Sequence, residues 1–116
     1  MLMKTRSLMV AAGAAMCFSG TAFAAGNPAA KAMMMSNDCF SCHAVNHQLV
    51  GPSFRAIAQR YHGRAASTAT IATLAKKVIS GGSGHWNAQT GGMAMTPHPQ
   101  LSQAQAEGMV RWVLAQ

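Results

Sequence analysis

Two cysteines and a histidine lie close together in the first half of the chain, in the run Cys39-Phe40-Ser41-Cys42-His43. This C-x-x-C-H spacing is typical of covalent haem attachment, in which two thiols add across the two vinyl groups of one macrocycle. Because His43 directly follows the second cysteine, it is held beneath the iron and supplies a proximal nitrogen. The sequence therefore predicts one haem on Cys39 and Cys42, with His43 as an axial ligand.

Two other chemistries use closely spaced cysteines, and the remainder of the sequence favours neither. A thioredoxin-like redox pair needs a βαβ context, and no segment shows the alternation of a strand. A zinc site needs four ligands, and the other histidines are isolated, without the paired spacing of structural zinc sites. The sequence thus favours haem over both.

A second axial ligand is expected from residues 80–100, an irregular segment rich in glycine, proline and polar side chains. A thioether opposite histidine raises the reduction potential of haem iron, whereas a second histidine lowers it. Met95 precedes prolines that restrict the backbone, which suits the holding of a weak ligand. Met93 faces the same side if the chain is extended. These residues alone leave four candidates: Met93, Met95, His85 and His98.

Capping residues and apolar periodicity predict four helices and an all-α fold. They run from an Asn27 cap to about Ser36, from Ser53 to Tyr61, from a Ser67 cap to Ile79, and from Ser102, in a capping box with Gln105, to the C-terminus. The segment between the last two helices is longer than a compact domain normally contains. A group other than polypeptide is expected to hold it.

The N-terminus has the pattern of a secretory signal peptide. Lys4 and Arg6 precede a short apolar stretch, and Ala22-Phe23-Ala24 supplies small residues for cleavage after Ala24. We therefore expect a signal peptide at residues 1–24, which includes Cys17, and one domain at residues 25–116. This places the domain outside the cytoplasm, in the periplasm, without a transmembrane anchor after cleavage.

The net charge is strongly basic. Nine Lys and Arg residues against two Asp and Glu give a formal charge of +7, which falls to +5 when Lys4 and Arg6 leave with the signal peptide. Such a surface attracts acidic partner proteins. Nucleic acid is not expected, because the chain has an export signal and its basic residues are scattered.

The chain resembles the class I cytochromes c, and most closely the small bacterial monohaem carriers of periplasmic respiration. The resemblance covers nearly all of residues 25–116. It is carried by the C-x-x-C-H run, Leu49-Val50-Gly51-Pro52-Ser53-Phe54, Gly81-Gly82-Ser83-Gly84-His85-Trp86, Met95-Thr96-Pro97 and Arg111-Trp112-Val113-Leu114. It implies the class I cytochrome c fold, with about four helices wrapped around one covalently bound haem c.

The resemblance also implies roles for individual residues. Met95 is then the distal ligand, and the Pro52 carbonyl accepts a hydrogen bond from the His43 ring. Trp86 donates to a haem propionate, and Lys77 faces a propionate. Residues 87–92 are longer and more polar than the family's short, proline-containing approach to the methionine, so Met93 remains an alternative to Met95.

The expected function is single-electron transfer between respiratory redox partners, with no catalysis by the chain itself. Two bound axial ligands leave no open position for oxygen or peroxide. The expected partners have acidic docking surfaces, as in a terminal oxidase, reductase or dehydrogenase. Two rivals remain: a haem enzyme or gas binder with a vacant distal site, and a dedicated cytochrome subunit of an oxidoreductase.

Overall fold

The computed structural model describes residues 27–116, so the predicted signal peptide and Cys17 lie outside the described residues. Within this range there are six helices and no extended strand. They are α1 (Pro28–Ser36), α2 (Cys39–Cys42), α3 (Phe54–Arg60), α4 (Thr68–Ser80), α5 (Asn87–Thr90) and α6 (Gln103–Leu114). The four longer helices confirm the four predicted ones to within two residues. None of the helices in residues 27–116 is long and apolar enough to cross a membrane.

The predicted caps begin these helices. The Asn27 side chain accepts a hydrogen bond from the Ala29 amide at 3.0 Å, and Ser67 accepts one from the Thr70 amide at 3.4 Å. At α6, Ser102 and Gln105 form both hydrogen bonds of a capping box. Each cap satisfies backbone donors that have no partner within the first turn of the helix.

The core lies along α6, which packs against α1, α3 and α4. One cluster of buried side chains joins α6 to α1, α2 and α3, and consists of Ala30, Met34, Cys39, Phe54, Leu101, Met109 and Trp112. A second joins α6 to α4, and consists of Ile71, Ala75, Ala106, Val110 and Leu114. Since α6 contributes to both clusters, it fixes the other helices around the cavity described below.

Candidate functional site

Three aromatic rings hold α2 against the core. Phe40 lies between the two cysteines of the haem-attachment run, with its ring centroid 5.5 Å from that of Phe54 and 6.2 Å from that of Trp112. Phe54 and Trp112 are 5.6 Å apart. All three pairs meet edge to face, the arrangement that aromatic quadrupoles favour. The single turn of α2 is thereby attached to α3 and α6.

The two cysteines of α2 differ in exposure but line the same cavity. Cys39 is 9 % exposed, whereas Cys42 is exposed, and the two do not form a disulfide. Burial is the main cause that raises the pKa of the Cys39 thiol. Burial therefore favours the neutral form of the Cys39 thiol over the thiolate.

The His43 ring is oriented by the Pro52 carbonyl, which lies 2.7 Å from its Nδ1 atom. A carbonyl oxygen only accepts hydrogen bonds, so Nδ1 carries the proton and donates it. This leaves the lone pair of Nε2 free, which is the arrangement of a neutral metal-binding imidazole. Burial is the main cause that lowers the pKa of His43, and it favours the same neutral form.

The chain after α2 folds back so that Gly51 lies against the His43 ring. The Gly51 amide donates to the Cys42 carbonyl at 2.8 Å, and the Phe54 ring stacks on His43 with centroids 5.3 Å apart. A β-carbon on Gly51 would lie 2.5 Å from Cε1 of His43. Sequence reasoning assigned Gly51 no role of its own, although the Gly51-Pro52 pair is a turn signal.

Met95 is anchored through its backbone to the glycines that end α4. Its amide donates to the Gly82 carbonyl at 2.8 Å, and its carbonyl accepts from the Gly82 amide at 3.1 Å. A β-carbon on Gly81 would lie 2.4 Å from the Met95 carbonyl oxygen, so this approach requires glycine. Met95 is half-buried and Met93 is 59 % exposed, and both line the cavity.

Trp86 and Lys77 also line the cavity, and both are half-buried. The Arg60 guanidinium carbon lies 4.5 Å from the centroid of the Trp86 ring, a cation–π contact. This contact was not predicted from the sequence. Arg60 and Trp86 are far apart in the chain, and no local pattern marks such a pair.

His98 lines the cavity and carries a buried polar atom without a partner. Its Nδ1 atom is buried and has no hydrogen-bond partner within residues 27–116, while its backbone amide donates to the Ile79 carbonyl at 3.0 Å. His85 also lines the cavity but is exposed. Buried polar groups are almost always hydrogen-bonded. The unpartnered Nδ1 atom of His98 is therefore an exception among the buried side chains of residues 27–116.

The cavity itself is too large to be an ordinary packing defect. Its volume is about 340 Å³, and residues of both core clusters line it, whereas protein interiors rarely contain voids larger than a water molecule. Most of its walls are apolar. The nitrogen and sulfur atoms on its walls include those of Cys39, Cys42, His43, Met93 and Met95. Apolar walls with these donors fit a haem.

The described residues offer no comparable zinc site. Within residues 27–116, no three or more His, Cys, Asp or Glu side chains are grouped so that they could hold a metal ion. The helical fold and the cavity define a small haem protein with a C-x-x-C-H run.

Comparison with known proteins supports the assignment to the class of small haem proteins. The family model described as "Cytochrome c" matches residues 28–116. Cytochrome c-551 of Azotobacter vinelandii is 42% identical over 76 residues, which cover 66% of this chain and 83% of that protein. Cytochrome c-552 of Nitrosomonas europaea is 35% identical over 112 residues, which cover 97% of each.

Solved structures are also similar. The crystal structure of Nitrosomonas europaea cytochrome c552 has a TM-score of 0.61 at 32% identity, covering 72% of this chain and 95% of that one. The class 1 cytochrome MtoD of Sideroxydans lithotrophicus ES-1 has a TM-score of 0.61 at 28% identity, covering 78% and 96%.

The chain belongs to the cytochrome c family, and it is a small bacterial class I cytochrome c. It is therefore an electron-transfer haem protein that carries one covalently bound haem c with its iron. The predicted family, fold and cofactor are confirmed.

Proposed function

We propose that this cytochrome carries single electrons in the periplasm between respiratory redox partners, through a haem ligated by His43 and Met95. The observation that carries this proposal is that Cys39, Cys42, His43 and Met95 all line one cavity. When bound, the haem supplies the iron that alternates between its ferric and ferrous states. The polypeptide holds the ring, fixes the axial ligands and keeps water away.

Cys39 and Cys42 attach the ring, and His43 is the proximal ligand. Support comes from the hydrogen bond between His43 Nδ1 and the Pro52 carbonyl, which leaves Nε2 available to iron. Such an outer partner fixes the orientation of the imidazole and makes it a stronger donor.

Met95 is the distal ligand in preference to Met93. In support, two backbone hydrogen bonds with Gly82 hold Met95, whereas the Met93 amide bonds only to Thr90 in its own segment. Met95 is also the less exposed of the two. A weak thioether bond forms at a smaller entropic cost when the backbone that carries it is already ordered.

Trp86 and Lys77 interact with the haem propionates. Both line the cavity and are only half-buried, so the indole N–H and the ammonium group are suited to carboxylates at the cavity edge. A cation and a neutral donor at that edge offset the charge of the propionates.

Residues 1–24 are a signal peptide, and residues 25–116 are the exported cytochrome domain. The formal charge of +5 on that domain favours partners with acidic docking surfaces, such as a terminal oxidase, reductase or dehydrogenase. The chain acts as a carrier rather than as an enzyme, because two axial ligands occupy both faces of the iron.

The test is a spectroscopic and mass analysis of holoprotein purified from a periplasmic fraction. We expect a mass that begins at Ala25, haem that stays bound in acidic acetone, and a weak red absorption band of ferric Fe–S(Met) ligation. Ferrous protein should not bind carbon monoxide at neutral pH. Extraction of the haem would contradict attachment at Cys39 and Cys42, and ready carbon monoxide binding would favour a haem enzyme or gas binder.

A further inference from the structure

Residues 83–94 are weakly attached to the rest of the molecule. None of them is buried, and only Trp86 and Thr90 are half-buried. The segment also contains Gly84, Gly91 and Gly92, all with positive φ. Segments with few buried contacts and exposed backbone hydrogen bonds open at a low free-energy cost.

The hydrogen bonds made by backbone amides of this segment stay within it. The Gln89 and Thr90 amides both donate to the Trp86 carbonyl, and the other bonds are Gly91 to Asn87, Met93 to Thr90, and Gly84 to the Asn87 side chain. These bonds give residues 83–94 their shape, including the turn α5. They do not fix the segment in place over the cavity.

The backbone pair of Gly82 and Met95 closes the base of the segment, and two side chains from elsewhere attach the segment itself. The Gln48 side-chain amide donates to the Gln89 carbonyl, and the Arg60 guanidinium donates to the His85 carbonyl. Among residues 27–116, these are the only hydrogen bonds that join residues 83–94 to the rest of the chain.

Arg60 holds two successive residues of the segment. Besides its hydrogen bond to His85, its guanidinium carbon lies 4.5 Å from the centroid of the Trp86 ring. Trp86 is part of the cavity wall, whereas Arg60 is exposed at the end of α3 and is not part of that wall. A change at Arg60 therefore acts on the cavity through Trp86.

Gln48 connects the segment to the loop that carries His43. His43 and Gln48 are paired through their backbones, and Gln48 lies outside the cavity wall. Its acceptor Gln89 belongs to residues 87–92, the part of the chain expected from the resemblance to be longer and more polar than the family's approach to the methionine. The side chains of Gln48 and Arg60, called the tethers below, thus attach the segment to two different parts of the chain. Gln48 attaches it to the loop that carries His43, and Arg60 attaches it to α3.

We propose that Gln48 and Arg60 are positioning residues that hold residues 83–94 closed over the haem cavity and so limit the access of small ligands to the iron. The role of residues 87–92 is to supply the attachment point of Gln48. Only the effect on ligand access rests on the proposed His43 and Met95 ligation. The attachment of the segment does not.

Hydrogen exchange of the reduced holoprotein, followed by NMR or mass spectrometry, measures the attachment directly. Gln48→Met keeps the length of the side chain but cannot donate, and Arg60→Ala removes the guanidinium. We expect amide exchange in residues 83–94 to become roughly three to ten times faster in each variant, the effect of losing an exposed hydrogen bond or cation–π contact. Arg60→Lys keeps a cation and a donor, and it should restore most of the protection.

Two exposed residues close to Arg60 in the sequence serve as matched controls. Gln59 is exposed and its side chain makes no hydrogen bond within residues 27–116, so Gln59→Met should leave exchange unchanged. Arg64 contacts the Tyr61 ring and not residues 83–94, so Arg64→Ala removes the same charge without removing a tether.

The rate of cyanide binding to the ferric holoprotein measures access to the iron. It should rise by a similar factor in Gln48→Met and Arg60→Ala, with the midpoint of global unfolding nearly unchanged. At neutral pH cyanide is mainly neutral HCN, and loss of a cation would only weaken attraction of the cyanide anion, so charge alone would not speed cyanide binding in Arg60→Ala.

Unchanged exchange of residues 83–94 in both tether variants overturns the proposal, as does faster exchange spread evenly over the whole chain. Faster local exchange with unaltered cyanide binding also overturns it, because the segment then does not limit access. A wild-type ferric spectrum without the red band contradicts the proposed Met95 ligation, and the exchange experiment still decides whether the tethers exist.

Discussion

The His43 ring lies directly on the backbone of Gly51, so closely that a β-carbon at residue 51 would be 2.5 Å from Cε1 of the imidazole. The next residue, Pro52, supplies the carbonyl that accepts a hydrogen bond from Nδ1 of the same ring, at 2.7 Å. One glycine-proline pair therefore determines both where the ring lies and which of its nitrogens carries the proton.

Gly51→Ala should destabilise the holoprotein by about 1–3 kcal/mol, because the added methyl group pushes His43 away from the Pro52 carbonyl. Thermal unfolding followed at the haem absorption band measures this. The control is Gly108→Ala in α6, where a β-carbon meets nothing within 4 Å. That change should be neutral or slightly stabilising, since alanine is the better helix former. Equal unfolding midpoints for the two variants would mean that Gly51 does not constrain His43.

Met95→Ala should abolish the red Fe–S(Met) band of the ferric protein, lower the reduction potential and open the iron to cyanide or carbon monoxide. The reason is that the thioether favours the ferrous state and closes the distal face. Met93→Ala is the matched control and should leave all three properties nearly unchanged. The reverse behaviour of the two variants would make Met93 the ligand.

Local sequence signals were sufficient to predict the four long helices, but they did not predict the contacts that cross the cavity. Asn27, Ser67 and Ser102 each mark a helix start by a hydrogen bond to a residue two or three positions away. The helices α2 and α5 were not predicted, because a single turn has no amphipathic period.

The site could be predicted to the extent that its residues form a continuous motif. Cys39, Cys42 and His43 are recognisable from spacing alone. The pairs Gln48–Gln89 and Arg60–His85 are separated by 41 and 25 positions, and only the folded chain brings them together.

The chain without haem should be largely unfolded, because residues of both buried clusters line the cavity that the ring would fill. Circular dichroism of a Cys39→Ala, Cys42→Ala double variant should show the loss of most of the helical signal. Ser41→Ala changes the same turn without removing a thiol and should keep the native signal in the holoprotein. Native helix content in the double variant would argue against a structural role for the ring.

Electron transfer with an anionic redox reagent should slow as the ionic strength rises, because salt screens the field of the basic domain. Stopped-flow oxidation by hexacyanoferrate(III) over a series of salt concentrations tests this. A cationic cobalt complex is the matched reagent, and its rate should rise over the same series. Rates that do not depend on salt for either reagent would count against steering by charge.

The burial of Cys39 also bears on whether haem attachment or folding comes first. In the folded chain Cys39 is 9 % exposed and belongs to the same cluster as Met34, Phe54 and Trp112. A maturation enzyme that joins the thiol to a vinyl group needs access to both, and these packed side chains leave Cys39 accessible only from the cavity. We therefore expect attachment to precede folding, so that the polypeptide remains open until the ring is attached. In that order of events, only chains that have received their cofactor become compact. Chains without haem stay open and are therefore accessible to proteases.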